Sequence, residues 1–255
     1  MSEQQPVFYA KDDLEMKKAF QKAQQNFRYF WRELSWERRR IVPGLDVACV
    51  KIAFTQVVEG QEPLVEHMWV NDVVFDGETI RGVLLNEPNH VTHVQSGQTV
   101  VVPLSHVSDW LFAREGKTFG GFSIQAMRKE MSHEEREAHD DAWGFDFGDY
   151  NQVLVAAGQN EHPEYLEEHP MSVNMREKVS EFVKQYPNEV NLADEAGNTV
   201  LHREAIAGNK TPIEVFIEAG ADIHAKNKLG KTAYDYAMEI GWPHLLPLLD
   251  PSAIK

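Results

Sequence analysis

The 255 residues carry 40 acids against 25 bases, a formal charge of −15, with 42% apolar and 25% charged residues. That is the composition of a globular chain and excludes disorder throughout. No apolar run reaches the roughly 18–20 residues of a membrane helix. The single cysteine, Cys49, excludes an internal disulfide and a cysteine zinc cage.

Residues 1–6 lack a basic stretch followed by an apolar one, so no secretory leader and a cytoplasmic location are expected. The charge is uneven: residues 129–169 hold 12 acids and 2 bases, a net −10. Such a balance argues against nucleic acid, which needs cations to displace its counterions. It would steer a basic protein partner; it also suits a solvated connector that aids solubility.

In chain order, residues 13–34 read as a helix, with Met16, Phe20, Ala23, Phe27, Phe30, Trp31 and Leu34 on one face. Pro43-Gly44 ends it. Val50, Ile52 and Phe54 then alternate with Lys51, Ala53 and Thr55, as in a half-buried strand. Strands 67–75 and 79–85 flank Asp76-Gly77-Glu78, a hairpin signal. A strand at 99–104 follows, then a second hairpin of 107–113 and 118–127 around Arg114-Glu115-Gly116-Lys117. Residues 1–128 are expected to form an α+β unit: an N-terminal helix packed on a curved antiparallel meander of five or six strands. Ser132-His133-Glu134-Glu135 is a capping box and predicts a short acidic helix. Trp143-Gly144-Phe145-Asp146-Phe147-Gly148 breaks it, and from Tyr150 the chain reads as helical to its end. The expected boundary is 1–149 and 150–255.

The tail matches itself at an offset of 33: Gly197 with Gly230, Thr199 with Thr232, Gly208 with Gly241, Val190 with Ile223. The segment Asp194-Glu195-Ala196-Gly197-Asn198-Thr199-Val200-Leu201-His202-Arg203-Glu204-Ala205 resembles an ankyrin repeat, as does Gly220-Ala221-Asp222. Val200, Ala233 and Asp235 depart from that pattern, and Pro243 and Pro247 shorten the last helix. The resemblance covers about 165–255 and implies an all-α ankyrin-repeat domain, its degenerate first repeat serving as a cap.

Upstream, Phe30-Trp31-Arg32-Glu33-Leu34-Ser35-Trp36-Glu37-Arg38-Arg39-Arg40, Glu66-His67-Met68-Trp69-Val70, Ser108-Asp109-Trp110 and Gly120-Gly121-Phe122 resemble the YegJ-like bacterial domains of unknown function. Proteins joining that domain to ankyrin repeats are similar along the whole chain, including His139-Asp140-Asp141-Ala142-Trp143-Gly144. The resemblance implies a bacterial intracellular protein and supplies no catalytic residue.

Several constellations have plainer explanations. Gly230-Lys231-Thr232 is accounted for by the repeat and not by a phosphate loop. His90 and His93 could join His67 or His106 at a metal, but their own spacing in a loop or strand does not put both on one face, and nothing fixes the geometry of the set. Glu135, His139, Asp140, Asp141, Asp146 and Asp149 do not follow calcium-loop spacing. Ser105, His106, Ser108 and Asp109 lack a nucleophile elbow. Trp31 and Trp36 with Arg38-Arg39-Arg40 mix rings and cations, but Trp31 belongs to the apolar face of the helix and the arginines can pair with the excess acid. No cofactor, metal or catalytic residue is therefore assigned.

The expected function is non-catalytic protein binding, with neutralisation of a bacterial toxin (an immunity protein) as a specific version. The candidate contact residues are Trp69, Asn71, Asp72, Asp109 and Trp110 on the sheet, Glu134, Glu135, Asp140 and Asp141 in the junction, and Asn198, Arg203 and Lys231 in the tail. Trp69 and Trp110 could equally be core. The alternative is a hydrolase-like site on the sheet, using Asp72 or Asp109.

Overall fold

A computed structural model describes residues 14–60 and 62–252. Helix α1 is Leu14–Glu37, ending three residues past its apolar stripe and before Arg40. The added turn buries Trp36 against the His169 ring. Residue 13 of the expected helix lies outside the described residues.

Six strands follow: β1 Val47–Gln56, β2 Leu64–Phe75, β3 Thr79–Leu84, β4 Thr99–Pro103, β5 Val107–Arg114 and β6 Lys117–Gly120. All pair antiparallel, in the order β4-β3-β2-β1-β5-β6. The predicted meander therefore holds only for β1 to β4. The chain then crosses back, and β5 pairs with β1 on its other side. The Asp76 carboxylate closes the first hairpin by accepting the Glu78 and Thr79 amides at 2.8 and 2.7 Å.

The predicted strand 118–127 is mostly helix. It stops at Gly120, and α2 runs Phe122–Glu130. Gly120 and Gly121 have φ of 77° and 69°, left-handed values that favour glycine. A Cβ on Gly120 would also clash with Trp110. The acidic helix α3, His133–Trp143, starts on the Ser132–Glu135 capping box and ends at Gly144, φ 70°. Asp146 then bridges to Lys117 alongside β6, and Phe147 is buried.

Helix α1 covers one face of the sheet, and α2 and α3 cover part of the other. Val50, Ile52, Met68, Val70, Trp110 and Phe112 pack with α1 in the main core. On the opposite face Cys49 and Leu111 join Ile124 and Phe147, with Trp69, Met127 and Trp143 partly buried around them. Burial pushes the Cys49 thiol up to about 12.

Residues 150–169 are turns with one short 3-10 stretch, Pro163–Leu166, and not the expected helix. Helices resume with α4 Pro170–Asn174, α5 Arg176–Gln185, α6 Val200–Ala207, α7 Lys210–Glu218, α8 Ala233–Ile240 and α9 Leu246–Leu249. The 33-residue offset is structural. Helices α6 and α8 are both eight residues long, start after Thr199 and Thr232, and end at Gly208 and Gly241 with φ of 75° and 88°. The turns before them repeat bond for bond: Asp194 Oδ1 accepts the Ala196 and Asn198 amides, and Asn227 Oδ1 those of Leu229 and Lys231. Asp235 takes the place of His202 in accepting the amide of the capping threonine. Leu201, Ala205, Ile213, Phe216, Ala237, Trp242, Leu245 and Leu249 form their own core.

The helical part does not hang free. Ile206 and Tyr236 belong to the core of the sheet. A Cβ on Gly77, in the first hairpin, would clash with Tyr236. Lys231 reaches Glu78 of that hairpin as well as Glu239.

Candidate functional site

Two polar clusters stand out, and they differ in kind. The first is the seam between α1 and the helical part. Trp36 Nε1 donates to Asn209 Oδ1 at 2.9 Å, Asn209 donates to Glu204, and Arg39 pairs with Glu204 at 2.9 Å while lying over the Trp36 ring. Arg32 is 1% exposed and donates to the carbonyls of Tyr165, Leu166 and Glu167. Glu33 and His169 meet at 3.0 Å, both buried, and the His169 ring stacks on Trp36. Arg38 donates to the Val73 carbonyl, and Arg40 pairs with Glu33 and Glu37. The tryptophan–arginine run is thus an internal fastening whose rings and cations have partners within the chain.

The second cluster is a cleft of about 750 Å³ on the α2–α3 side of the sheet. Met16 and Phe20 of α1, His67 and Trp69 of β2, and Lys51 of β1 form one side. Ser123 and Met127 of α2 form another, with Met131 just beyond that helix. Glu135, His139 and Trp143, spaced four apart, present one face of α3. Asn86, Glu87, Asn89 and His90 of the β3–β4 loop close the rim. Glu66 pins that loop by accepting the amides of Asn89, His90 and Val91. Burial pushes its carboxyl up, but these hydrogen bonds outweigh burial and hold it below the usual range.

The polar floor follows from strand register. Lys51 and Asp109 are partners across β1 and β5, on one face. Asp109 is fully buried and caps α2: its carboxylate accepts the Phe122 and Ser123 amides at 2.9 and 2.7 Å and the Ser123 hydroxyl at 2.6 Å. Burial pushes its pKa up, against the pull of Lys51 and these hydrogen bonds. Lys51 Nζ donates to Ser123 Oγ at 3.0 Å and lies 4.7 Å from the Trp69 ring centre. Burial lowers its pKa, and Asp109 opposes the shift. Desolvation and then the Lys51 charge lower His67 to about 4. On α3, His139 Nδ1 contacts Asp140 at 2.9 Å, and Asp140 pairs with buried Arg128 at 2.7 Å.

The expected contact residues scatter over these surroundings. Trp110 and Asp109 are 0% exposed, not surface: Trp110 is core, its indole N–H donating to the Ala23 carbonyl, and Asp109 is a helix cap. Asn198 is buried, accepting from Asn227 across successive turns. Lys231 is held by Glu78 and Glu239. Trp69 and Glu135 face the cleft, and Asp140 is spent on Arg128. Asn71 is partly buried, and exposed Asp72 sits on a β2 bulge at φ 51°. Glu134, Asp141 and Arg203 remain exposed. Lys51, Ser123 and Trp143 were not singled out from the sequence. Only the Lys51 cation between Val50 and Ile52 in an apolar strand offered a signal. Among the described residues no three His, Cys, Asp or Glu side chains are arranged to hold a metal ion, and no helix is long and apolar enough to cross a membrane.

A helix-backed antiparallel sheet with this sequence over residues 13–147 matches the family described as an uncharacterized protein conserved in bacteria, DUF2314, and the chain belongs to that family. It is 46% identical, over 246 residues, to a Neisseria meningitidis serogroup B protein whose provisional name is ankyrin repeat protein; the match covers 96% of this chain and 97% of that one. Over 72 residues it is 33% identical to the uncharacterized protein YegJ of Escherichia coli K12, covering 28% of this chain and 47% of that protein.

Proposed function

We propose that the protein is a non-catalytic binding protein in which residues 150–255 form an ankyrin-type domain fastened to a front domain of residues 1–149, and that its partner is a protein. The observation that carries this reading is the tail's repeat, in which turn, capping threonine, helix and terminal glycine recur at 33 residues. The name of the Neisseria relative supports it. The inward sides of α6 and α8 are taken up by α1 and the first hairpin, so the partner meets other surfaces. The exposed acids of α3, Glu134, Glu137 and Asp141, would draw a basic partner. Neutralisation of a basic toxin is a narrower form of this reading.

The test starts with the partner that co-purifies stoichiometrically with the full chain from its native cells. Replacing Glu134, Glu137 and Asp141 by amides is expected to slow association several-fold at low salt and to flatten its salt dependence. Equal rates and slopes for both forms would assign α3 to solvation alone. Failure of any protein to bind the full chain would remove the reading itself.

A second reading, a hydrolase-like site, draws on the Ser123 hydroxyl between Lys51 and Asp109 and on the Asp140-held His139 at the cleft. It no longer draws on Asp72, which is not among the residues of the cleft. Turnover of an ester that Ser123→Ala abolishes, with folding intact, would favour it.

A further inference from the structure

Lys51 sets the problem. An ammonium carries three donors, and Lys51 Nζ uses one, on Ser123 Oγ. Among the described residues no carboxylate lies within ion-pairing distance of it; the neighbouring Asp109 spends both oxygens on α2 and its own strand. A partly desolvated charge with one neutral hydrogen bond is costly to hold. It is unlike Arg32, whose two terminal nitrogens donate to three carbonyls.

We propose that the cleft is a binding site for a small organic monoanion, a carboxylate on an aromatic or branched aliphatic body, with Lys51 as its counter-ion. This goes beyond the protein-binding reading and stands without it. The volume, about 750 Å³, falls in the range of about 300–1,000 Å³ of small-molecule sites. The walls suit the body of such a ligand: Trp69, Trp143 and Phe20 offer flat apolar area, and Met127 and Met131 adapt to its shape. Trp69 and Trp143 stand edge to face at 6.4 Å, a fixed corner. His139, held through Nδ1 by Asp140, leaves Nε2 for a polar substituent. The acids near the mouth, Glu87 and Glu135, repel a second negative charge. A monocarboxylate therefore fits better than a phosphate. The charge-neutral polar floor of an ordinary buried network would have needed no such ligand.

The full chain is titrated calorimetrically with naphthylacetate, naphthylacetamide and naphthyl phosphate, which share one body and differ in head group. The expected result is saturable one-to-one binding of naphthylacetate, with the amide and the phosphate at least about tenfold weaker. In Lys51→Met the carboxylate falls to the level of the amide, while the thermal midpoint is not lowered. Ala138→Trp, which fills the cleft from the α3 wall, removes binding of all three. Absence of saturable naphthylacetate binding overturns the proposal. So does equal binding of acid and amide, or an affinity that Lys51→Met leaves unchanged in a folded protein.

Discussion

Arg32 and Lys51 are both cations taken largely out of water, and the fold treats them differently. Arg32, at the seam, lies against the rings of Tyr29 and Trp242 and donates to three backbone carbonyls of residues 165–167. Burial lowers its pKa to about 10, so it stays charged at neutral pH. Lys51, at the cleft, has one hydroxyl and one ring face. The seam closes on itself because α1 and the helical part supply matching partners. The cleft leaves part of its polar capacity open. A buried charge with its partners in the chain holds structure together; one with few of them, at a cleft, is a candidate for binding.

The largest expected effects lie in the seam. A fragment of residues 165–255 lacks α1 and would expose Ile206, Tyr236, Asn209 and His169. Its unfolding midpoint in urea is expected well below that of the same segment in the full chain; equal midpoints would show that the front part lends nothing. Within the full chain, Trp36→Ala empties a site 1% exposed and leaves Asn209 Oδ1 without its donor. The expected loss is about 3–5 kcal/mol by equilibrium unfolding. Asp109→Ala removes the α2 cap and leaves the Phe122 and Ser123 amides without their acceptor. It should cost about 2–4 kcal/mol.

Much of the seam was readable in the sequence as elements and little of it as contacts. The stripe from Met16 to Leu34 gave α1, and Ser132 to Glu135 gave the start of α3, because capping and helical period are local. The repeat was legible because its turn chemistry recurs at one offset. Register and coverage were not. Alternation shows that Lys51 and Asp109 leave the strand on the side opposite Val50 and Ile52, but not that α2 and α3 roof that side. For the same reason Asp109 could be mistaken for surface, whereas Trp110 lies on the opposite side, under α1. The strand expected through Met127 failed at Gly120-Gly121, whose left-handed backbone and distant cap, Asp109, are invisible to periodicity. Nor does composition show that β5 returns to β1 after four strands of meander.

A paired substitution sharpens the contrast. Arg32→Met leaves three part-buried carbonyls without this donor and is expected to cost about 3 kcal/mol. Lys51→Met removes a poorly compensated charge at similar length, and stability is expected to stay level or rise by about 1 kcal/mol. Equilibrium unfolding of both variants at one pH decides the matter. A loss of similar size at Lys51 would mean that its single hydrogen bond to Ser123 is as structural as the seam.

The smallest effect is a pH dependence, and its sign follows from His67. Desolvation and the Lys51 charge lower this imidazole from 6.5 to about 4 in the folded chain. In the unfolded chain it takes up a proton near the ordinary value. Between those two pH values the unfolded state therefore binds more protons, and stability falls as pH falls from about 6.5 to about 4. Below that window both states are protonated and His67 contributes no further loss. Because His67 is exposed to solvent, the slope should be modest. His67→Gln is expected to flatten the stability profile within this window and to leave it unchanged above pH 7. In Lys51→Met, which lacks the neighbouring charge, part of the same slope should disappear even with His67 in place. A profile identical in all three proteins would show that the imidazole titrates as it does in water, and that the cleft imposes no electrostatic cost on a cation placed beside Lys51.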